Sequence, residues 1–404
     1  MNHSAEEFDV LIVGGGMVGL LLAGLLQEQP TADLRIAVVE PQTPQPRAVD
    51  AELDLRVSAL SPASLHLLER VGALQALPVG TLHSYEYMRV WQDGGGPFGD
   101  RALCFSAAET GVATLGSIVE NNAVREALWQ RLQQSSAITW ITEPANSLTR
   151  NADAYAVSCG GTVRQARLLV GADGARSWVR EELGVRSREH AYRQNALVAH
   201  LATEMPHADT AWQKFLPDGP AALLPLADGR CSLVWTHPES RTDDLQNMSD
   251  REFADGLQQA IDGALGAIRC TTSRAVFPLQ RAHAQVYTGE RFALLSDAAH
   301  RAHPLAGQGA NLGFLDAVVL AEELASHMQY RWADPGDPRL LRRYERRRKG
   351  NNALTLGLMD GINAVFTSPL AELAGAGLGL VDRAGPLKRL MAEQAMGTGH
   401  GLRD

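Results

Sequence analysis

SDAAHRAHPLAGQGANLGFLDA, Ser296 to Ala317, sets an aspartate at the close of an apolar run. A proline, two glycines around a glutamine, an asparagine and a plainly helical tail follow. Phe292 to Leu295, just before it, reads as a buried strand. A turn of this kind leaves free N–H groups at the start of the following helix, where negative charge is favoured. Capping alone would not need the aspartate, the proline and both glycines. The stretch has a counterpart near the other end of the chain. Phe8 to Val13 is a short β-branched run that reads as a buried parallel strand. Gly14-x-Gly16-x-x-Gly19 follows and leads into LLLAGLLQEQ, which reads as a helix. Leu34 to Glu40 is a second strand ending in an acid, completing a βαβ unit. Gly14 permits the sharp turn, Gly16 lets backbone approach a pyrophosphate, and Gly19 lets the helix pack on the strand. Glu40, about twenty residues on, can accept hydrogen bonds from a ribose.

The first motif suits FAD and NAD equally, and the stretch from Ser296 separates them. A nicotinamide enzyme needs no second dinucleotide contact near residue 300, whereas a flavin enzyme of this layout does. Asp297 can accept a hydrogen bond from a ribityl hydroxyl. Beyond Gly307, the N–H groups of Gly309, Ala310 and Asn311 can face the N1/O2 edge of the ring, which becomes anionic on reduction.

The rest of the chain fits around these motifs. Ala59 to Leu77, Val119 to Leu132 and Ser249 to Leu265 have helical spacing. Arg167 to Val170 reads as a strand running into Gly171-Ala-Asp173-Gly174. Tyr192 to Thr203 and Ala221 to Thr236 read as strands of a different, antiparallel sheet. Beyond Asp337 the pattern is helical. A net charge of -9 argues against a nucleic-acid partner. Four scattered cysteines without a CxxC pair fit a reducing cytosol rather than a disulfide scaffold or zinc site. The first apolar run, Val10 to Leu26, is interrupted by five glycines and does not read as a signal peptide. No apolar run is long enough to span a bilayer. A cytoplasmic protein is expected, with contact at the inner face of the cytoplasmic membrane left open.

These motifs, with Asp54-Leu-Arg56-Val-Ser-Ala-Leu60, LGSIVENNAVREALWQRL from Leu115, GADGARSWVRE from Gly171, KFLPDGPAALLPLADGRCSLVW from Lys214, RRYERRRKGNNAL and PLKRLMAEQAMG, resemble one family over nearly the whole chain. It is the class A flavoprotein monooxygenases of the para-hydroxybenzoate hydroxylase fold. Within it the likeness is to ubiquinone-biosynthesis hydroxylases of the UbiH/UbiI/UbiF type. The resemblance implies an α/β fold: a Rossmann-like FAD-binding domain of glutathione-reductase type, interleaved with a smaller antiparallel-sheet substrate domain, and a helical C-terminal tail. The expected division is 1-85, 115-180 and 275-335 for FAD, 86-114 and 181-274 for substrate, and 336-404 for the helical region. The implied chemistry uses NAD(P)H and O₂ to hydroxylate a polyprenylated phenol through a C4a-hydroperoxyflavin. Other aromatic substrates, or a low-turnover flavin-bound role beside quinone-biosynthesis proteins, stay open. The halogenase WxWxIP stretch is missing.

The resemblance also assigns roles. Asp173 matches an aspartate that contacts the FAD pyrophosphate region and supports NAD(P)H use. Arg56 and Arg125 match cofactor-contacting arginines, with surface ion pairs as the alternative. His300, matching a histidine that lines the flavin site, and Pro304 are the catalytic candidates. His300 and His303 lack the carboxylates or cysteines of a metal site, and none is expected. The family usually has glycine where this chain has Ser296. If that position needs a positive φ, the serine is strained. The basic run Arg342 to Lys349 reads either as a solvated helix face or as a contact for anionic lipid. The apolar, glycine-rich segment after it reads either as a core-packing tail or as a surface for a polyprenyl chain.

Overall fold

The run Phe8–Val13 lies at the centre of a largely parallel sheet. The computed structural model describes residues 6–28, 34–48, 51–301, 309–330 and 333–366. Strand β1 (Glu6–Val13) pairs in parallel with β2 (Ile36–Val39) on one side and β11 (Thr162–Gly171) on the other. β8 (Ile138–Ile141) extends the sheet beyond β2, and β19 (Phe292–Leu294) extends it beyond β11, both in parallel. β18 (Thr288–Gly289), β10 (Tyr155–Cys159) and β9 (Ala145–Arg150) add antiparallel margins. Val10, Leu11 and Ile12 are wholly buried because both faces of the sheet are covered. Helix α1 (Met17–Gln27) packs against α8 (Gly309–Met328), which packs in turn against α9 (Pro338–Phe366).

The register decides where the motifs meet. Val13 pairs with both Val39 and Gly171, and Gly171 pairs with Leu294. Four parallel strands therefore end together. The residues just beyond them carry Gly14, Glu40, Asp173 and Asp297. In open α/β sheets this carboxyl edge is where ligands bind.

A second, mostly antiparallel sheet holds β20 (His300–Arg301), β17 (Ala275–Ala284), β12 (Ser187–Thr203), β15 (Cys231–Pro238), β14 (Gly219–Pro225), β13 (Thr210–Leu216), β5 (Tyr87–Gln92) and β6 (Leu103–Ser106) in that order, with β16 (Ile268–Cys270) on β12. Only its β13–β5 pair is parallel among the described residues. Leu197, Leu201, Leu223, Leu233 and Trp235 pack with Phe253 and Leu257 of α7 (Asp250–Ala260). Short helices α3 (Ala107–Thr110) and α6 (Thr242–Asn247) lie in its connections. A small antiparallel sheet, β3 (Val57–Leu60), β7 (Gly116–Glu120) and β4 (Leu82–Tyr85), lies between the larger two: Ala59, Ile118 and Leu226 form one cluster that Leu224 packs against.

Three helical readings were too long. α2 spans Pro62–Arg70, because Pro62 sets the first turn and Ser61 Oγ caps it from the Ser64 N–H, so Ala59 and Leu60 stay in β3. α4 (Asn121–Leu132) begins after β7, so Val119 and Glu120 are strand residues. α7 ends at Ala260, before Asp262 and Gly263 turn left-handed at φ 56° and 63°. Among the described residues no helix is long and apolar enough to cross a membrane.

Candidate active site

The glycines at the carboxyl edge divide by what surrounds them. Gly14 has φ 111°, and a Cβ there would lie 2.4 Å from the Ala172 carbonyl oxygen. A Cβ on Gly19 would lie 2.0 Å from the Gly14 oxygen, so strand turn and helix meet backbone to backbone. Gly16, in contrast, has nothing within 4 Å of its Cβ position. It is the N-cap of α1 and supplies no side-chain cap, so no capping side chain meets the first N–H groups of the helix. That arrangement fits a pyrophosphate. Gly309, at the start of α8, is open in the same way.

Glu40 holds the first turn together. Its Oε2 accepts from Gly15 N–H and its Oε1 from Gln42 N–H, both at 2.8 Å. An ionised carboxylate has about four acceptor sites, so capacity for a ribose remains. Arg125 reaches the same loop from α4. It donates to the Gly15 carbonyl at 2.8 Å and to the Gln42 carbonyl, and it lies 3.4 Å from Glu40. Its contacts are with the loop that surrounds the dinucleotide turn. The LGSIVENN motif anchors the next loop. Buried Glu120 accepts from Asp54 N–H at 2.6 Å and from Arg47 at 2.5 Å. This sets the path to Arg56, whose side chain is exposed and lowers the proton affinity of Asp297 by its charge. Asp173 turns inward: it accepts from Ser177 Oγ at 2.5 Å and Val179 N–H at 3.0 Å, holding the start of α5 (Trp178–Glu182). Burial raises its pKa, and those two hydrogen bonds oppose the rise. Arg180, which sequence reasoning did not single out, ties this turn to the next by donating to the Ala298 carbonyl at 3.1 Å.

Ser296 has φ 53°, so the conditional expectation of strain is met. Its side chain sits over Gly313, where a Cβ would lie 2.6 Å from the serine Oγ. Asp297 follows, half-buried, with no hydrogen-bond partner for its carboxylate among the described residues. Burial raises its pKa, while the charges of His300, Arg301 and Arg56 oppose this. An acceptor left unpaired at this edge fits a ribityl hydroxyl. The Asn311 side chain does not face the edge. It accepts from Ser61 N–H and donates to the Ala59 carbonyl, both at 2.9 Å, pinning the start of α8 to the small sheet.

His300, the catalytic candidate, sits in a closed setting. It is 2% exposed, its Nε2 lies 2.6 Å from Asp316 Oδ2, and its ring stacks on Tyr287. Pro304, Gly307 and His303 lie outside the described residues. The neighbouring His283 bonds Tyr287 Oη at 2.8 Å. Burial, then His300, Lys349, Arg281 and Arg188, lower its pKa from 6.5 to about 4. The fold prefers its neutral form, so the unfolded chain takes up a proton between those two values that the folded chain refuses. Stability should fall as pH drops through that window. His283→Gln should flatten the fall, read by denaturant melts at about pH 7 and about pH 5. A slope unchanged by the substitution would assign the acid sensitivity elsewhere.

Strand alternation sorts the two faces of the second sheet. Leu197 and Leu223 point into the α7 core, whereas Val198, His200, Leu224 and Val234 lie on the opposite face. Ala222, Leu224 and Val234 are half-buried. His200 and Ser232 pair in register; their ring nitrogens and hydroxyl are buried with no hydrogen-bond partner among the described residues. Burial first, then Arg230, lowers the His200 pKa. His83, His207 and Asp209 also bring ligand atoms together, but His207 is engaged at both nitrogens, by Leu226 O and Asp209 N–H.

The basic run of α9 divides three ways. Arg343 and Arg347 pair with Glu322 and Glu323 of α8, and Arg348 turns into the core. Arg339, Arg342 and Arg346 are exposed along one face.

Comparison with known proteins agrees with this geometry. Residues 7–354 match the model of the FAD binding domain family. The chain is 36% identical over 399 residues to 3-demethoxyubiquinol 3-hydroxylase of Escherichia coli (strain K12), covering 97% of this chain and 99% of that protein. It is 39% identical to ubiquinone hydroxylase UbiL of Rhodospirillum rubrum, covering 98% and 92%. In fold it is similar to PqsL of Pseudomonas aeruginosa, described as a probable FAD-dependent monooxygenase (TM-score 0.75, 23% identity, covering 92% and 99%). It is also similar to p-nitrophenol 4-monooxygenase PnpA of Pseudomonas putida DLL-E4 (TM-score 0.74, 18% identity, covering 99% and 100%). Glycine turns, an acid after the second strand, a second turn near residue 300 and a second, antiparallel sheet come together here in one chain, and it belongs to the FAD binding domain family, as an FAD-dependent monooxygenase.

Proposed function

We propose that this enzyme hydroxylates the aromatic ring of a polyprenylated phenol in ubiquinone biosynthesis, using FAD, NAD(P)H and O₂. The observation that carries the reading is the full-length likeness to two ubiquinone-pathway hydroxylases, with 97% and 98% of this chain matched. The half-buried strip of Ala222, Leu224 and Val234 supports an apolar ring. In this reading the N–H groups at Gly16 meet the pyrophosphate, Glu40 the ribose and Asp297 the ribityl chain. The N–H groups of Gly309, Ala310 and Asn311 lie at the ring edge, and Arg56 and Arg125 contact the cofactor. Bound FAD supplies the oxygen-transfer chemistry. The protein positions the ring and excludes water from it.

The domain division at 86-114 and 181-274 belongs to the same reading, with β17 crossing the boundary by pairing with β12. Contact with an anionic membrane surface would use Arg339, Arg342 and Arg346. Quinone-pathway proteins would be neighbours there.

The test is a visible spectrum of the purified protein, followed by NAD(P)H and a prenylated phenol in air, with and without anionic vesicles. Flavin bands that bleach and return with a hydroxylated phenol are expected. Bleaching that yields only peroxide would reject the prenylated substrate. Flavin that NAD(P)H cannot reduce would favour the low-turnover role. Failure to pellet with anionic vesicles would reject the membrane contact.

A further inference from the structure

We propose that Asp316 is a positioning residue of the flavin site: it holds the left-handed Ser296 turn that presents Asp297, and Arg348 makes this hold depend on docked α9. Asp316 is completely buried on α8. Its Oδ2 accepts from Ser296 N–H at 2.9 Å and meets His300 Nε2 at 2.6 Å. Its Oδ1 accepts from Arg348 Nε at 2.7 Å and Asn352 Nδ2 at 3.1 Å. Four donors fill the capacity of one carboxylate.

Burial opposes ionisation of Asp316, but the charges and hydrogen bonds of His300 and Arg348 more than offset it, so its pKa lies well below the ordinary value. The anion is therefore a fixed part of the fold. It grips the backbone of Ser296, the residue of this turn with a positive φ among the described residues, which lies directly before Asp297. Ser296 remains left-handed because Gly313 leaves room for its hydroxyl and Asp316 holds its N–H. Arg348 and Asn352 come from α9, thirty-two and thirty-six positions along the chain. Arg348 also donates to the Leu312 carbonyl at 3.2 Å, so α9 clamps the same turn of α8 that carries Asp316.

The inference rests on FAD as cofactor and not on the identity of the substrate. A purely structural Asp316 predicts lost stability with no particular tie to Ser296. A positioning Asp316 predicts that the conformation of residue 296 decides the outcome. Glycine adopts φ > 0 without strain, so it should hold the turn without help. FAD affinity is measured by quenching of flavin fluorescence in the parent, Ser296→Gly, Asp316→Asn and the double variant, with circular dichroism to confirm folding. Asp316→Asn should weaken FAD binding by about tenfold or more, and Ser296→Gly alone should leave it unchanged. The double variant should recover about threefold or more, a coupling that independent sites would not show. Parental affinity in folded Asp316→Asn would overturn the proposal. So would an equal loss in both backgrounds.

If Asp316→Asn does not fold, Arg348→Gln carries the test. It keeps a donor, removes the cation and should weaken FAD binding severalfold, again relieved by Ser296→Gly. Parental affinity in that folded variant would overturn the dependence on α9.

Discussion

Replacing Asp297 with alanine should weaken FAD binding by about tenfold to a hundredfold and leave the apoprotein at least as stable as the parent. A hydrogen bond to an ionised group contributes about 1.5–3 kcal/mol, which sets that range. The sparing of the apoprotein follows from the structure. The Asp297 carboxylate has no hydrogen-bond partner among the described residues, and burial raises its pKa, so the folded chain gains nothing from its charge. Removing an unpaired, partly desolvated anion relieves a cost. Flavin titration gives the affinity, and thermal melts without FAD give the stability. An aspartate that served the fold would show the reverse pattern, with a lower melting temperature and little change in affinity. Parental affinity would remove Asp297 from the cofactor site.

Gly14→Ala should lose more, and lose it from the fold. The new methyl group would sit 2.4 Å from the Ala172 oxygen and 2.7 Å from the Asp173 nitrogen, at a φ of 111° that side chains rarely adopt. Neither neighbour can move alone. Ala172 N–H donates to the Val13 carbonyl at 2.8 Å, and Gly14 N–H donates to the Val39 carbonyl at 2.9 Å, so the clash lies between two paired strands. Backbone strain and overpacking together should cost about 4 kcal/mol or more, a large part of the roughly 5–15 kcal/mol that holds a domain together. Low soluble yield, or a steep fall in the denaturant midpoint, is the expected result. Gly16→Ala is the control. Its Cβ meets nothing within 4 Å, so the protein should fold normally and fail, if at all, in FAD affinity. Equal destabilisation by both substitutions would mean that the packing around Gly14 is looser than its geometry implies.

Much of the site was legible in the chain because it depends on local chemistry. A positive φ, a close backbone approach and a helix start each call for a particular residue within a few positions. Gly14, Gly19 and Gly16 meet those three needs in turn. Even the strain at Ser296 was readable as a condition, since serine at a left-handed position is costly wherever it occurs. Helix limits were less legible. Apolar spacing runs on through a strand end such as Ala59–Leu60, and only the Ser61 cap and Pro62 mark the true start.

Other assignments had no local signal. Nothing in Arg342 to Lys349 distinguishes Arg348 from its neighbours. Packing of α9 on α8 sends Arg343 and Arg347 to Glu322 and Glu323 and turns Arg348 inward to Asp316. The partners of His300 had no local signal either. Its place in the motif suggested the flavin, but its ring is held by an aspartate sixteen positions away and covered by Tyr287. The sequence by itself determined the cofactor class, the turns that can hold it and the alternation that builds the facing sheet, because each follows from backbone sterics and side-chain period over a few residues. The tertiary structure alone decided that Val13, Val39, Gly171 and Leu294 end in one register, and that Asp316, Arg348 and Ser296 share one buried charge. Those pairings join residues tens to hundreds of positions apart, and they form only when burial of both helices and the central sheet brings the groups out of water together.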